Sequence, residues 1–228
     1  VLIHASHCHG VVCADVESRT VQAVGEARLN MEPVKVGVGR GHEDRIMENR
    51  RLQLSNGRQA DVRRAYSLPP DEAVVAVGPV DPDIGILRLD RENGRALALV
   101  YNFACHPIQG VPDGGNTADL SGFASEVIEI GLGHGAIAFF VQGCAADINP
   151  VLYRDVDNPA DAKPLGQRLG LSTLEVAREI RCHEGAELKV VGECVALPRA
   201  ELAPHITSLE DEQNRLLLSL QPTSLNLK

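Results

Sequence analysis

Apolar and polar positions fall along this chain in blocks whose spacing alternates between strand and helix periods. The opening Val1-Leu2-Ile3 begins an apolar run that predicts a buried strand over residues 1–7. Residues 14–29 carry helical spacing, with Val16, Val21, Val24 and Leu29 on or near one face and Asp15 at the start. Val34 to Gly39 alternates with period two. Residues 40–70 are charged and aperiodic and predict a surface loop, with a turn at Ser55-Asn56-Gly57. Ile84 to Leu89 alternates, Ala96 to Phe103 is almost continuously apolar, and Asn93-Gly94 between them predicts a hairpin. A Gly- and Pro-rich loop over 109–117 precedes a helix from Asp119 to Leu132. Ala136 to Gln142 is apolar enough for a central strand. A loop over 143–160 leads to a long amphipathic helix, Pro164 to Cys182, with Leu165, Leu169, Leu174 and Ala177 inward. Leu188 to Leu197 alternates as a late strand, residues 206–218 predict one more helix, and the last eight residues read as frayed.

Helices and strands that alternate in this way predict an α/β fold, a mixed β-sheet with helices on both faces. Residues 1–200 are expected to form one domain, and 201–228 a tail or the start of a further segment. The chain does not begin with Met and begins inside an expected strand, so a fragment or a processed product is expected.

Composition narrows the function classes. With 228 residues the chain can bury a substantial core, and with 3% aromatics and no Trp that core must be aliphatic. The formal net charge of -9 argues against nucleic acid and against an anionic membrane surface as partner. No apolar run is long enough to span a bilayer, and no secretory signal is visible, which leaves the compartment open. None of the six cysteines forms a C-x-x-C pair. Cys105 and Cys144 lie in apolar runs, where a buried free thiol is expected.

The candidate chemistry sits at the ends of apolar runs. His7 and His9 close the first run and share one face if the strand continues. His106 closes the run that ends Val100-Tyr101-Asn102-Phe103-Ala104-Cys105. Strands that deliver imidazoles at their C-terminal ends can build a metal site at the rim of a sheet, and neutral imidazole is a good zinc ligand. The remaining histidines lack such partners: His4 is expected to be structural, and His42, His134, His183 and His205 to be surface residues. Gly131 to Gly135 follows a helix and precedes a strand, the reverse of a dinucleotide-binding fingerprint.

Several segments, in order, resemble the neutral ceramidase family. Ser6-His7-Cys8-His9-Gly10 is similar to its S/T-H-T-H-S-G segment, and Asn49-Arg50 to its Asn-Arg pair. Gly78 to Arg88 resembles a strand start in bacterial ceramidase-like proteins, and Asn102 to Pro107 their F-A-C-H-P motif. Ala118 to Ala124 is similar to S-D-x-x-G-Y-A, and Gln142 to Pro150 to Q-G-x-x-G-D-x-S/N-P. The resemblance implies an enzyme with one zinc ion that cleaves the amide of an N-acyl compound such as ceramide, so a small-molecule or lipid N-acyl substrate. It implies His7 and His106 as metal ligands and His9 beside the reacting carbonyl. Arg50 becomes a hydrogen-bond donor to substrate, and Asp119 a candidate to orient a ligand histidine. The family's remaining Glu and Tyr ligands have no recognisable counterpart in this chain. The family serine of D-x-S-P is Asn149 here, which is no nucleophile but can donate to an oxyanion or hold a water. Two other readings stay open: a catalytically silent binding domain, and a metallohydrolase of an ester or phosphoester. Oligomeric state is not encoded at this level.

Overall fold

The computed structural model describes residues 1–61, 71–110, 117–151, 161–185, 187, 189 and 191–220. The parts of the expected loops at 62–70, 111–116 and 152–160, and the expected frayed end at 221–228, lie outside them. The chain divides into two compact units, Val1–Glu187 and Leu188–Lys228.

The first unit is α/β and is built on a mixed four-stranded sheet of order β1-β6-β7-β8. Its strands are β1 (Val34–His42), β6 (Asp83–Arg91), β7 (Ala96–Phe103) and β8 (Ile137–Gln142). β1 pairs antiparallel with β6, β6 antiparallel with β7, and β7 parallel with β8. The β6–β7 turn is the expected hairpin: Gly94 takes a φ of 81°, which glycine tolerates without a Cβ clash. Its N–H donates to the Arg91 carbonyl. The parallel β7–β8 pair needs a crossover, supplied by α2 (Asp119–Leu132).

The register sorts the side chains. Gly37, Gly39 and Gly41 of β1 stand opposite Arg88, Ile86 and Ile84 of β6. Ile86 stands opposite Tyr101, and Tyr101 opposite Phe140. This face carries the core, with Ile84, Leu99, Tyr101 and Phe103 fully buried. α2 and α3 (Ala162–Glu179) pack on it and on each other. The inward positions expected for α3 hold: Leu169, Leu174 and Ala177 are buried and Leu165 lies against the core. On the opposite face Val38, Ile137 and Phe139 are exposed.

Two glycine patterns explain the close packing. A Cβ at Gly39 would lie 2.6 Å from the Ile180 side chain, so β1 meets the end of α3 through its bare face. A Cβ at Gly166 would lie 2.3 Å from the Leu120 carbonyl oxygen, and one at Gly170 2.7 Å from that of Ala124. These contacts are to backbone, so α2 and α3 touch main chain to main chain.

Several expectations are corrected. Residues 1–7 are not a buried strand: they have no regular structure, and Val1, Leu2 and Ile3 are 98%, 81% and 77% exposed. No described strand pairs with them, and apolar character alone does not hold a strand without hydrogen-bond partners. Residues 40–61 are more than loop. They finish β1 and form β2 (Met47–Asn49), β3 (Arg51–Leu54) and β4 (Gln59–Asp61). β3 lies between β4 and β5 (Val74–Val77), and the expected Ser55-Asn56-Gly57 turn joins β3 to β4. The stretch from 143 holds β9 (Ile148–Pro150), which pairs antiparallel with β2. β8 is at the edge of its described sheet rather than central. α1 (Val16–Leu29) forms as expected but buries no residue. Cys105 is buried and free, whereas Cys144 is exposed.

A buried carboxylate ties the second half of the core together. Glu43, just past β1, accepts hydrogen bonds from Arg45 and from Ser172 of α3. Burial alone would raise its pKa, but these bonds outweigh it and hold the carboxyl below its ordinary value.

The second unit is described by α4 (Ala203–Ser219), on which Ile206, Leu209, Leu216 and Leu217 are exposed. The expected strand over Leu188 to Leu197 is absent from the described residues 189 and 191–197, and no described strand lies in this unit to pair with it. Among the described residues no helix is long and apolar enough to cross a membrane.

Candidate active site

The site joins the end of a strand to a segment without regular structure. β7 ends at Phe103, and the chain continues through Ala104 and Cys105 to His106. Both residues before His106 are buried, and so is His106 itself. Two hydrogen bonds fix it, and both go to one acceptor: the Ile148 carbonyl of β9 takes the His106 backbone N–H at 3.1 Å and its ring Nδ1 at 2.9 Å. A carbonyl only accepts, so Nδ1 carries the proton and Nε2 keeps its lone pair. This is the arrangement in which the second nitrogen of a ligand histidine is held by a carbonyl.

The His106 pKa lies below its ordinary value. Burial is the main cause, partly opposed by the Ile148 hydrogen bond, and the nearby His7, His9 and Arg50 add to the depression. The ring is therefore neutral at pH 7.

His7 and His9 come from the exposed opening segment and meet His106. Ring centroids are 4.2 Å apart for His7 and His106, 5.5 Å for His7 and His9, and 5.4 Å for His9 and His106. One ring nitrogen from each of the three lies within 4.8 Å of the others. His7 has φ 55°, a left-handed conformation uncommon outside glycine. Asp119, at the start of α2, shares this trait with φ 51°.

The donor set suits zinc. Imidazole is a borderline-soft nitrogen ligand, neutral here for His106, and about 3.4 Å separates ligand atoms around a tetrahedral ion with bonds near 2.1 Å. Small side-chain rotations bridge the difference. Among the described residues no carboxylate or thiol joins this group.

Other expected residues lie around His106. Arg50 is 15% exposed in its side chain and its Nε is 3.0 Å from Asp61 Oδ1 as an ion pair. The N–H is not aligned on that oxygen and has no hydrogen-bond acceptor. Its backbone N–H donates to the Asp147 carbonyl. Asn149 follows the residue that holds His106, stands opposite Glu48 in the β2–β9 pair, and is 2% exposed. Its side-chain Oδ1 is buried and has no hydrogen-bond partner. Asp119 is buried, but its carboxylate accepts from the Gly110 and Leu120 amides and so holds its own loop. The Ile148 carbonyl orients His106 instead.

Sequence patterns missed that carbonyl, because backbone groups leave no signature in residue type. They also missed Gln142, whose Nε2 donates to the carbonyls of Cys105 and Gly143 and so braces the turn before His106. A cavity of about 240 Å³ opens beside the cluster. Ser6 and Cys8, on either side of His7, line it with Pro107, Ser121, Ser125 and Phe140.

No model of a known protein family matches the chain, and no curated protein matches it in sequence. Solved structures do share its fold. A neutral ceramidase from Pseudomonas aeruginosa matches 70% of this chain with a TM-score of 0.52 at 20% identity. A ceramidase complexed with C2 matches 68% with a TM-score of 0.51 at 21% identity. The matched parts are 25% and 24% of those chains, so this chain spans about a quarter of their length. Over that part it has a ceramidase-like α/β fold.

Proposed function

We propose that this protein is a zinc-dependent hydrolase that cleaves the amide bond of an N-acyl substrate, in the manner of a ceramidase. The observation that carries the reading is the meeting of His7, His9 and His106, from two segments far apart in sequence, with ring nitrogens within 4.8 Å. The fold shared with neutral ceramidases supports it.

His7 and His106 would hold the ion, and His9 is within reach of either the ion or the substrate oxygen. Zinc, when bound, polarises a carbonyl and lowers the pKa of a water to about 7. In the hydrolysis the water oxygen bonds to the acyl carbon, the carbon–nitrogen bond breaks, and a water proton passes to the leaving amine. Arg50 places a fixed positive charge beside the site, which favours the developing oxyanion. The Asn149 amide is buried next to the residue that holds His106, where it can position the attacking water. The cavity lined by Ser6, Cys8 and Ser121 offers room for part of the substrate.

The test is zinc titration of the intact protein, followed by hydrolysis of a fluorogenic N-acyl substrate and of its matched ester. Turnover of the amide that chelation abolishes and zinc restores supports the reading. Stoichiometric zinc without turnover favours a silent binding domain, and turnover of the ester alone favours an esterase.

A further inference from the structure

We infer that Gln142 is a specificity-determining residue: its side-chain oxygen accepts a hydrogen bond from the substrate's amide N–H, and so selects an amide over an ester. The inference rests on the hydrolase reading above. It concerns the substrate and leaves the metal ligands as they stand.

Placement comes from the sheet. β7 and β8 run parallel and end in register, with Phe103 opposite Gln142. Ligands of open α/β sheets bind beyond the carboxyl ends of such strands. His106 lies just past one of these ends, and Gln142 is the last residue of the other. The two chains leave the sheet together. The Gly143 N–H donates to the Phe103 carbonyl, and a Cβ at Gly143 would lie 3.0 Å from the Ala104 backbone.

The Gln142 amide is held one way round. Its Nε2 donates to the carbonyls of Cys105 and Gly143, each at 3.1 Å. Turned over, the amide would set its oxygen against two carbonyl oxygens, which cannot donate. Oε1 therefore stays on the far side, where it is buried without a hydrogen-bond partner. Among the described residues the other buried side-chain atoms in that state are Arg50 Nε, Gln109 Oε1 and Asn149 Oδ1. They too gather around His106. Gln109 comes soon after it in the chain, Asn149 follows the residue whose carbonyl holds it, and the charge of Arg50 is felt at its ring. Buried polar groups are otherwise paired, so this gathering marks where a ligand completes them.

A secondary amide offers two handles that point opposite ways, a carbonyl oxygen and an N–H. The charge of Arg50 suits the oxygen. Gln142 Oε1 can only accept, which suits the N–H. An ester puts an oxygen with lone pairs in that place, and Oε1 would stay unpaired against it. A site that leaves a buried polar group unpaired rejects such an analogue. Gln142 takes no proton in the reaction; it holds the nitrogen while the acyl carbon is attacked.

The experiment compares three substrates on the zinc-loaded intact protein: an N-acyl aminocoumarin, its N-methyl amide and the matched coumarin ester. Wild type should lose about 10–100-fold in kcat/KM from the N–H amide to the N-methyl amide. Gln142→Met, checked for fold by circular dichroism and for equal zinc content, should lower the amide-to-ester ratio of kcat/KM by about 10–100-fold. Equal losses on amide and ester overturn the inference and leave Gln142 as a brace alone. A wild type that hydrolyses the N-methyl amide as fast as the N–H amide also overturns it, and that result needs no variant. Zinc-loaded wild type that turns over neither amide nor ester overturns the hydrolase reading, and this inference with it.

Discussion

At the scale of single residues, the site sets buried polar groups against their surroundings. Asn149 is an amide whose oxygen has no partner in a buried position, a costly placement unless something else uses it. Asn149→Leu should therefore change stability by less than about 1 kcal/mol. The same variant should lower kcat, because the amide oxygen proposed to position the attacking water is gone. Urea unfolding and steady-state kinetics at equal zinc content separate the two effects. His106 makes a second prediction. Its folded pKa is below the ordinary 6.5, so at mildly acid pH the unfolded chain binds the extra proton first. Stability of the metal-free protein should then fall as pH drops below about 6.5 and level off below the folded pKa. His106→Gln should lack that step, and equal slopes in the two proteins between pH 7 and 5 would count against it. The three histidines were legible in the sequence because imidazoles at the ends of apolar runs stand out. Their partners were not, since Ile148 acts through its carbonyl and Gln142 through an amide whose value depends on which carbonyls it meets.

At the scale of elements, legibility followed length. β1, β6, β7 and β8 span six to nine residues, enough for their apolar pattern to show. The three-residue β2, β4 and β9 offer no period to detect, and pairing alone defines them. The reverse error arose at residues 1–7, and at 189 and 191–197, where apolar or alternating residues have no described strand to join. α2 and α3 read correctly because each has a buried stripe, yet how closely they approach depends on glycines whose role only packing reveals. Gly170→Val should destabilise the protein by about 1–3 kcal/mol, because the new side chain meets the Ala124 backbone. Gly25, on exposed α1 with open space around it, is the control: Gly25→Ala should be neutral or slightly stabilising. Thermal melts of both variants check the pair.

At the scale of the whole molecule, the three histidines link a segment without regular structure to the end of a core strand. An ion held by His7 and His106 would close a long loop and stabilise only the folded chain. Zinc at about 100 times its Kd should add about 2.7 kcal/mol, seen as a higher Tm that EDTA removes. His7→Ala should abolish that increment while leaving the metal-free Tm close to wild type, because the His7 segment is exposed. Protection of residues 1–10 from hydrogen exchange should rise with zinc in the wild type alone.

The single carbonyl of Ile148 has one more consequence. It sits on a ribbon of two three-residue strands, and it anchors an imidazole forty-two positions away. That ribbon acts as a ruler: sliding it by one notch would offer the ring a neighbouring oxygen aimed elsewhere. Insertion of one residue between Ala146 and Asp147 would therefore be felt at the metal before it is felt in the melting curve.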